Sequence, residues 1–388
     1  MLKEIVSVTW VNLLSIPSRW GSTVVMLIGV AAAAAVFASV RAFIDGFDDS
    51  LRGGASAERA IILSDGARDG GDSQLSNDHI NAISVAEGLA RTPSNRPAMS
   101  RDAFVSITME SKRDKVQHGV VVRGYSSALA SVRPEIHVVE GRMFQPGLRE
   151  AIIGRQAQLQ FRDASIGDSI PLESGSVAIV GVFESGDWAE SCVIMDTDVL
   201  LNEYNRTGAN LVTARLVNAG SLDALKTSLA ANTALKFQVM TEPEYYTRFR
   251  KTFGLLDGVA DIVGAMMALG AVFCAFNAMY ASIAARERDT AIFRAIGFGR
   301  TSIVVSIVVE SVLVSIVGAA FGALIAWLLF DGMTVTTGSY LLSVIHTIHV
   351  SRAVVSESMP WACAIGLLGA LWPSVQAARQ PVSMALAR

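Results

Sequence analysis

Four long apolar stretches constrain this chain more than any other feature of its sequence. They cover residues 23–40, 262–284, 303–330 and 359–378, and the third contains their only charged side chain, Glu310. About 20 mostly apolar residues suffice for an α-helix to cross the ~30 Å hydrocarbon core of a bilayer. We therefore predict an integral membrane protein with four transmembrane helices, arranged as one plus three around a polar region.

The polar region between the first and second apolar stretches has the pattern of a soluble domain. Turn signals such as Asp65-Gly66 and Gly167-Asp168 separate short apolar runs. The predicted strands are residues 60–63, 104–109, 119–123, 151–154, 177–183, 192–195 and 211–217, and the predicted helices are 76–86, 222–231 and a segment from 243 onward. The fold class is thus an α-helical membrane protein with an α+β extracytoplasmic domain between its first and second transmembrane helices.

Basic residues of the short connecting segments lie mainly on one side of the predicted spans. That side carries Lys3, Arg19, Arg286, Arg288, Arg294, Arg300, Arg379 and Arg388, whereas the loop between the third and fourth spans carries Arg352 alone. Cytoplasmic loops are enriched in Lys and Arg. We therefore expect both termini in the cytoplasm and the large domain outside, in a multi-pass protein of the cytoplasmic (inner) membrane.

The segment before the first span has apolar residues at helical spacing: Leu2, Ile5, Val6, Trp10, Leu13 and Leu14. This spacing predicts an amphipathic helix on the inner face of the membrane; the alternative is a frayed start of the first span. The length of the first apolar run and the three spans that follow favour a membrane anchor over a cleaved signal sequence.

Searches for an active site within the sequence find none. No lysine follows a glycine, so the chain lacks the phosphate-binding loop that an ATPase would need. His346 and His349 have no evident third ligand for a metal, and a net charge of −3 argues against nucleic-acid binding. We expect a non-catalytic chain with no cofactor of its own.

Two features inside the third span are candidates for function. Glu310 is an ionisable residue within a membrane helix, for which a structural role is favoured over proton transfer because acidic or histidine partners are missing from the other spans. Gly318 and Gly322 form a G-x-x-x-G motif, which permits close approach of helix backbones. Packing within the chain and oligomerisation fit this motif equally well.

The loop between the second and third spans is the most specific segment. Residues 284–300 have the sequence AARERDTAIFRAIGFGR, in which Ile292 and Ile296 form a short apolar face and Gly297 is placed to end a helix. A short helix of this kind can dock in a groove of a partner protein. From composition alone, a basic loop that only sets membrane orientation is an equal alternative.

This loop resembles the R-E-I-x-x-L-R-A-L-G signature of the MacB/FtsX superfamily of ABC-transporter permeases. Arg288, Arg294, Ala295 and Gly297 match the signature, whereas Asp289 and Thr290 depart from it. Residues 372–386 resemble the P-x-x-x-A-A-R-x-x-P-x-x-A-L pattern at the end of that family. Short motifs at 122–124, 139–142, 151–154, 166–168 and 179–182 resemble its periplasmic core domain in the expected order.

The resemblance implies a domain organisation and a function. The implied regions are a cytoplasmic-face helix (1–20), a first transmembrane helix (21–44), a periplasmic MacB-like core domain (45–250), a stalk with the second transmembrane helix (251–285), a cytoplasmic coupling loop (286–302), a third transmembrane helix (303–331), a short periplasmic loop (332–358), a fourth transmembrane helix (359–379) and a cytoplasmic tail (380–388). A permease subunit of this kind transmits ATP-driven motion to its periplasmic domain for export, efflux or lipoprotein handling. The alternative is an envelope regulator that drives a periplasmic partner without transporting cargo.

The implied partners follow from the same resemblance. A separate cytoplasmic ATPase would bind the ATP and Mg²⁺, and a second permease chain would complete a homodimer or heterodimer. A periplasmic adaptor or membrane-fusion protein is a further candidate beside the lipid bilayer. The residues expected to contact the ATPase are Arg286, Glu287, Arg288, Asp289, Ile292, Arg294, Ala295, Ile296 and Gly297.

Overall fold

The computed structural model describes residues 2–15, 20–232, 235–252, 254–285, 287–339 and 342–379. The chain divides into two compact units. The membrane unit comprises Met1–Asp45, Leu255–Met333 and Thr347–Arg388, and the α+β unit comprises Gly46–Gly254 and Thr334–His346. The chain therefore passes between the two units four times.

The helices and strands are numbered in chain order. The helices are α1 (Leu2–Leu14), α2 (Trp20–Arg52), α3 (Asn77–Ser84), α4 (Leu129–Val132), α5 (Arg155–Gln160), α6 (Thr197–Glu203), α7 (Leu222–Ala230), α8 (Glu242–Thr252), α9 (Gly254–Ala284), α10 (Glu287–Ala295), α11 (Arg300–Phe330) and α12 (Arg352–Arg379). The strands are β1 (Arg59–Ser64), β2 (Met99–Glu110), β3 (Gln117–Tyr125), β4 (His137–Gly141), β5 (Glu150–Gly154), β6 (Ser169–Pro171), β7 (Ser176–Glu184), β8 (Val193–Asp196), β9 (Leu211–Arg215), β10 (Phe237–Thr241), β11 (Thr334–Ser339) and β12 (Leu342–Thr347).

Four helices in the described part of the chain are long and apolar enough to cross a membrane: α2, α9, α11 and α12. Helix α2 is 33 residues long, about 50 Å, and therefore exceeds the hydrocarbon thickness. It continues past the predicted boundary at residue 44 because Phe47 and Leu51 lie one turn apart and are both buried.

Small residues dominate the core of the membrane unit. Buried alanines of α2, α9, α11 and α12 form one cluster together with Met26, Val30 and Ile307. Small side chains allow helix backbones in a membrane to approach closely and gain packing energy.

Helix α1 lies where the sequence predicts an amphipathic helix, and its position on the inner membrane face stays a prediction. Val6, Trp10 and Leu14 follow each other at four-residue spacing and are exposed, as expected for an apolar stripe at a membrane surface. Val8 and Asn12 are buried, and the Asn12 Nδ2 donates a hydrogen bond to the Ser306 Oγ on α11 at 2.7 Å. The helix is thus attached to α11 by a polar contact.

A ten-stranded mixed sheet forms the frame of the α+β unit. Its order is β10-β1-β9-β2-β3-β8-β5-β7-β4, with β6 paired to β7. The β3–β8 and β5–β7 pairs are parallel and the remaining pairs are antiparallel. All seven predicted strands are present within this sheet, and α3, α7 and α8 correspond to the predicted helices.

The segment between the third and fourth spans differs from the simple loop expected at 332–358. It contains the hairpin β11–β12, which belongs to the α+β unit, and α12 begins at Arg352 rather than near residue 359. Threonine, valine and isoleucine dominate this segment, and such residues favour strands.

Candidate functional site

Helix α10 forms the centre of the predicted coupling loop, and its end is well defined. The Gly297 amide donates to the Arg294 carbonyl at 3.1 Å, and the Phe298 amide donates to the Phe293 carbonyl at 3.0 Å. Gly297 has φ +105°, and the Phe293 and Phe298 rings meet edge to face at 5.7 Å. These are the two hydrogen bonds and the apolar contact of a Schellman motif, which strongly favours glycine at this position.

The exposed surface of this segment is apolar. Ile292 is 42% exposed and Ile296 is 71% exposed, and the neighbouring Ala295 is also exposed, whereas Ala291 is buried at 4%. Two large aliphatic side chains one turn apart thus face outward from a short capped helix. An apolar pair at this spacing suits a groove on another protein.

The remaining predicted contact residues lie at the start of this helix. Glu287, Arg288 and Asp289 belong to the first turn of α10, and their side chains lie outside the described set, as does the whole of Arg286. Their proposed contacts with a partner therefore stay predictions.

Gly318 and Gly322 pack against α2 within the same chain. A Cβ on Gly322 would meet the Ala31 carbonyl oxygen at 2.3 Å and the Ala34 Cβ at 2.8 Å. A Cβ on Gly318 would meet the Val30 Cβ at 3.1 Å. Of the two interpretations left open by the sequence, these contacts support packing within the chain.

Glu310 lies on a buried polar stripe of α11. Ser302, Ser306 and Glu310 follow at four-residue spacing and are 1%, 0% and 3% exposed. The adjacent Ser311 Oγ donates to the Gly366 carbonyl of α12 at 2.8 Å. Polar side chains between membrane helices stabilise their association, which fits the structural role expected for Glu310.

In the α+β unit, three segments that continue into the membrane unit share one hydrophobic core. We call this set of side chains the anchor cluster: Phe47 and Leu51 from α2, Tyr246 and Phe249 from α8, and Val344 from β12. Each is at most 8% exposed, and the buried Trp188 packs among them. The Arg250 Nη1 also lies 2.7 Å from the Asp48 Oδ2, which joins α8 to α2.

Glu242, the first residue of α8, is the centre of a buried ion network. Its Oε2 accepts hydrogen bonds from the Arg59 Nε at 2.6 Å and from the Ser56 amide at 3.0 Å. Its Oε1 accepts a hydrogen bond from the Tyr246 hydroxyl at 3.3 Å and lies 3.7 Å from the Arg133 Nη2. Since Glu242 is 1% exposed, removal of one partner would leave a buried charge uncompensated.

The hairpin β11–β12 is held in this unit by direct hydrogen bonds. The Ser191 Oγ accepts from the Ile345 amide at 2.8 Å and donates to the Ile345 carbonyl at 3.3 Å. The Gln160 Nε2 donates to the Thr336 Oγ1 at 2.6 Å. His346, which the sequence analysis places in the segment 332–358, is buried at 2% exposure.

Next to the anchor cluster lies a cavity of about 60 Å³, which has room for a few water molecules. The Arg123 guanidinium lies over the rings of Phe104 and Trp188 at 4.4 and 4.5 Å and donates to the Asp102 carboxylate at 3.2 Å. Asp102 also accepts from the Thr213 hydroxyl at 2.7 Å. Burial raises the pKa of Asp102 to about 6, although Arg123 and Thr213 oppose this shift.

Sequence reasoning did not find the anchor cluster, the ion network or this cavity. Their residues come from segments about 50 to 300 positions apart, and none of them stands out within its own segment. Pro243 indicated the start of a helix, but no local pattern indicated the ion-network partners of the neighbouring Glu242. Among the described residues, no group of three His, Cys, Asp or Glu side chains could hold a metal ion.

Two family models match the chain, one after the other along the sequence. The MacB-like periplasmic core domain matches residues 22–232, and the FtsX-like permease C-terminal domain matches residues 262–382. The first match spans most of α2 and most of the α+β unit, and the second spans α11 and α12 with most of α9. The chain belongs to the MacB/FtsX family of ABC-transporter permeases.

Solved structures similar to this permease cover its periplasmic domain. The extracellular domain of the noncanonic ABC-type transporter YknZ from Gram-positive bacteria is 18% identical, with a TM-score of 0.35, over 47% of this chain and 100% of that one. The periplasmic region of MacB from Actinobacillus actinomycetemcomitans is 13% identical, with a TM-score of 0.38, over 51% and 94%. A domain of a permease-like protein from Porphyromonas gingivalis is 12% identical, with a TM-score of 0.30, over 47% and 87%. No curated protein matches the chain.

Family membership assigns the general role of the molecule. The permease is a multi-pass membrane subunit of an ABC-type transporter, with its α+β unit as the periplasmic domain. Proteins of this family are generally non-catalytic and associate with an ABC ATPase, typically as permease dimers.

Proposed function

We propose that this permease couples ATP hydrolysis by a separate cytoplasmic ATPase to movement of its periplasmic domain, in export, efflux or lipoprotein handling. The ATPase binds ATP and Mg²⁺ and contacts α10, both termini lie in the cytoplasm, and a second permease chain completes the complex. The observation that carries the proposal is the anchor cluster, because it joins segments continuous with the membrane helices in one core.

The anchor cluster gives the periplasmic domain a mechanical connection to the spans. Phe47 and Leu51 extend α2, Phe249 precedes α9, and Val344 lies between α11 and α12 in the chain. Protein cores are close-packed and switch between discrete arrangements more readily than they deform continuously. Movement of any one of these helices along its axis would therefore displace a side chain of the shared core.

On the cytoplasmic side of the membrane, helix α10 receives the movement of the ATPase. It connects α9 to α11 through short segments, so a force on α10 acts on two membrane helices at once. The exposed pair Ile292 and Ile296 supplies the apolar contact area, and the Schellman motif fixes the direction in which the chain leaves the helix. Coupling then requires that the nucleotide states of the ATPase favour different arrangements of these helices.

The docking role of α10 can be tested by co-purification of the detergent-solubilised permease with its ATPase. The variants are Ile292→Asp and Arg294→Glu, and the control is Ile166→Asp, because Ile166 has a similar exposure (44% against 42%) but lies in the periplasmic domain. We expect both α10 variants to lose the ATPase and its stimulated turnover, and the control to keep them. Retention of the ATPase and full turnover by both α10 variants would refute the docking assignment.

A further inference from the structure

A groove lies where α11 begins and α12 ends. Its volume is about 320 Å³, and its lining combines Arg300 and Arg379 with the apolar side chains Val304, Val305, Val375 and Ala378. The two guanidinium groups are exposed. In the described part of the chain, neither takes part in a salt bridge.

Among the described residues that line this groove, no acidic side chain balances the two arginines. Helix α11 begins at Arg300, although the N-terminal end of a helix carries a partial positive charge and favours an anion. Its first turn contains no acidic residue, and its N-cap residue Gly299 provides no side-chain hydrogen bond. The sequence after Arg379, residues 380–388, contains no Asp or Glu either. An external anion would therefore stabilise this end of the helix pair.

The walls of the groove limit what that anion can be. Val304 and Val305 lie one turn into a membrane helix, and Val375 and Ala378 lie in the last turn and a half of another. A free phosphate ion would satisfy the arginines and leave the side chains of Val304, Val305 and Val375 partly uncovered. A molecule with a negative headgroup and hydrocarbon chains matches both parts, and basic pockets between membrane helices bind such lipids.

We propose that this groove binds the headgroup of an anionic phospholipid, of which phosphatidylglycerol is the simplest bacterial-type example. The two arginines contact the lipid phosphate, and the valines contact the upper part of its acyl chains. The bound lipid contacts both α11 and α12 at the end next to α10. It would therefore hold these two helix ends in a fixed arrangement relative to each other.

Native mass spectrometry of the full-length permease in mild detergent tests this proposal, with phosphatidylglycerol or phosphatidylcholine as the added lipid. We expect phosphatidylglycerol to be retained more strongly, and Arg300→Gln combined with Arg379→Gln to weaken its binding about 25-fold, since each arginine contributes about fivefold near an anionic lipid. Arg352→Gln is the matched control, because Arg352 is an exposed arginine at the opposite end of α12.

Three results would overturn the proposal: equal retention of phosphatidylglycerol by the double variant, equal retention of the two lipids by the wild type, or displacement of the lipid by millimolar inorganic phosphate alone. If the double variant loses the ATPase in lipid-free detergent and retains phosphatidylglycerol normally, the groove is a partner contact and the lipid assignment is wrong. No ATPase is present in the lipid measurement, so its outcome is independent of the coupling function.

Discussion

Asp102 is a carboxylate held at 0% exposure, beside one arginine and a threonine hydroxyl. Its pKa of about 6 in the folded chain lies above the ordinary value of 3.8, so the folded state binds this proton more tightly than the unfolded state. The contribution of Asp102 to stability is therefore largest below pH 4 and is lost as the pH rises through about 6.

This linkage gives a prediction for the periplasmic domain. Between pH 4 and pH 7, the free energy of unfolding should lose about 2 kcal/mol from this one group, because each pKa unit is worth about 1.4 kcal/mol and part of the shift takes effect below pH 4. Asp102→Asn should remove that slope while keeping a hydrogen-bond acceptor for Thr213. Urea-dependent pulse proteolysis of the full chain at several pH values measures the pH slope of the wild type and of the variant. An identical pH slope in the variant would exclude Asp102 as the group responsible.

Gly322 provides a residue-scale test of the membrane packing. In Gly322→Ala the new methyl group meets the backbone of α2, including the Ala31 carbonyl oxygen at 2.3 Å, so we expect a loss of about 1–3 kcal/mol. Gly264→Ala in α9 is the control, because a Cβ there has nothing within 4 Å. Unfolding in SDS titrations compares the two, and equal stability of Gly322→Ala and wild type would contradict the close α2–α11 contact.

The structural role of a single residue could be predicted where the residue belongs to a short sequence motif. Gly297 follows an apolar helical face, and the Schellman motif is a short-range pattern, so its position could be recognised from the sequence. Gly318 and Gly322 were recognised as a packing motif, but α2 was not recognised as their partner helix. A G-x-x-x-G motif indicates that another helix packs closely against it but does not identify that helix. Glu242 carried no signal, since its partner Arg59 lies far away in the chain.

At the scale of elements, the hairpin β11–β12 is the part of the fold that the sequence analysis described least well. Its short strands were assigned to a loop because they lie between two membrane spans, where a simple connection was expected. Its attachment depends on the backbone of Ile345 and the hydroxyl of Ser191, which is a contact that no periodicity reveals. The length of α2 was also underestimated, because its last turns are stabilised by burial of Phe47 and Leu51 in the core of the α+β unit.

Ser191→Ala tests the attachment of this hairpin. The substitution leaves the buried Ile345 amide without its acceptor, which costs about 1–3 kcal/mol. Hydrogen–deuterium exchange at residues 344–347 should therefore accelerate by about tenfold or more. Ser84→Ala is the control, because the Ser84 hydroxyl bonds only the nearby Asn81 carbonyl on an exposed helix. Unchanged exchange in the Ser191 variant would show that the hairpin is held by other contacts.

At the scale of the whole molecule, hydropathy and charge predicted the layout of one plus three spans around an α+β domain, because a bilayer permits few alternatives. The order of the ten strands could not be predicted, because local sequence patterns do not indicate which distant strands pair. The connection between the units was missed for the same reason. It depends on the anchor cluster, whose members come together only in the folded domain.

We propose that a nucleotide-dependent change at α10 moves the periplasmic domain. The most direct test is a spin label at Val85, which is 81% exposed in that domain, introduced as Val85→Cys after replacement of Cys192, Cys274 and Cys363. The distance between the labels of two paired permeases is measured in the reconstituted complex with ADP and with a trapped ATP state. We predict that the distance distribution changes with nucleotide in the wild-type background and does not change in Ile292→Asp. An unchanged distribution in the wild-type background, with the ATPase bound and turning over, would contradict the account.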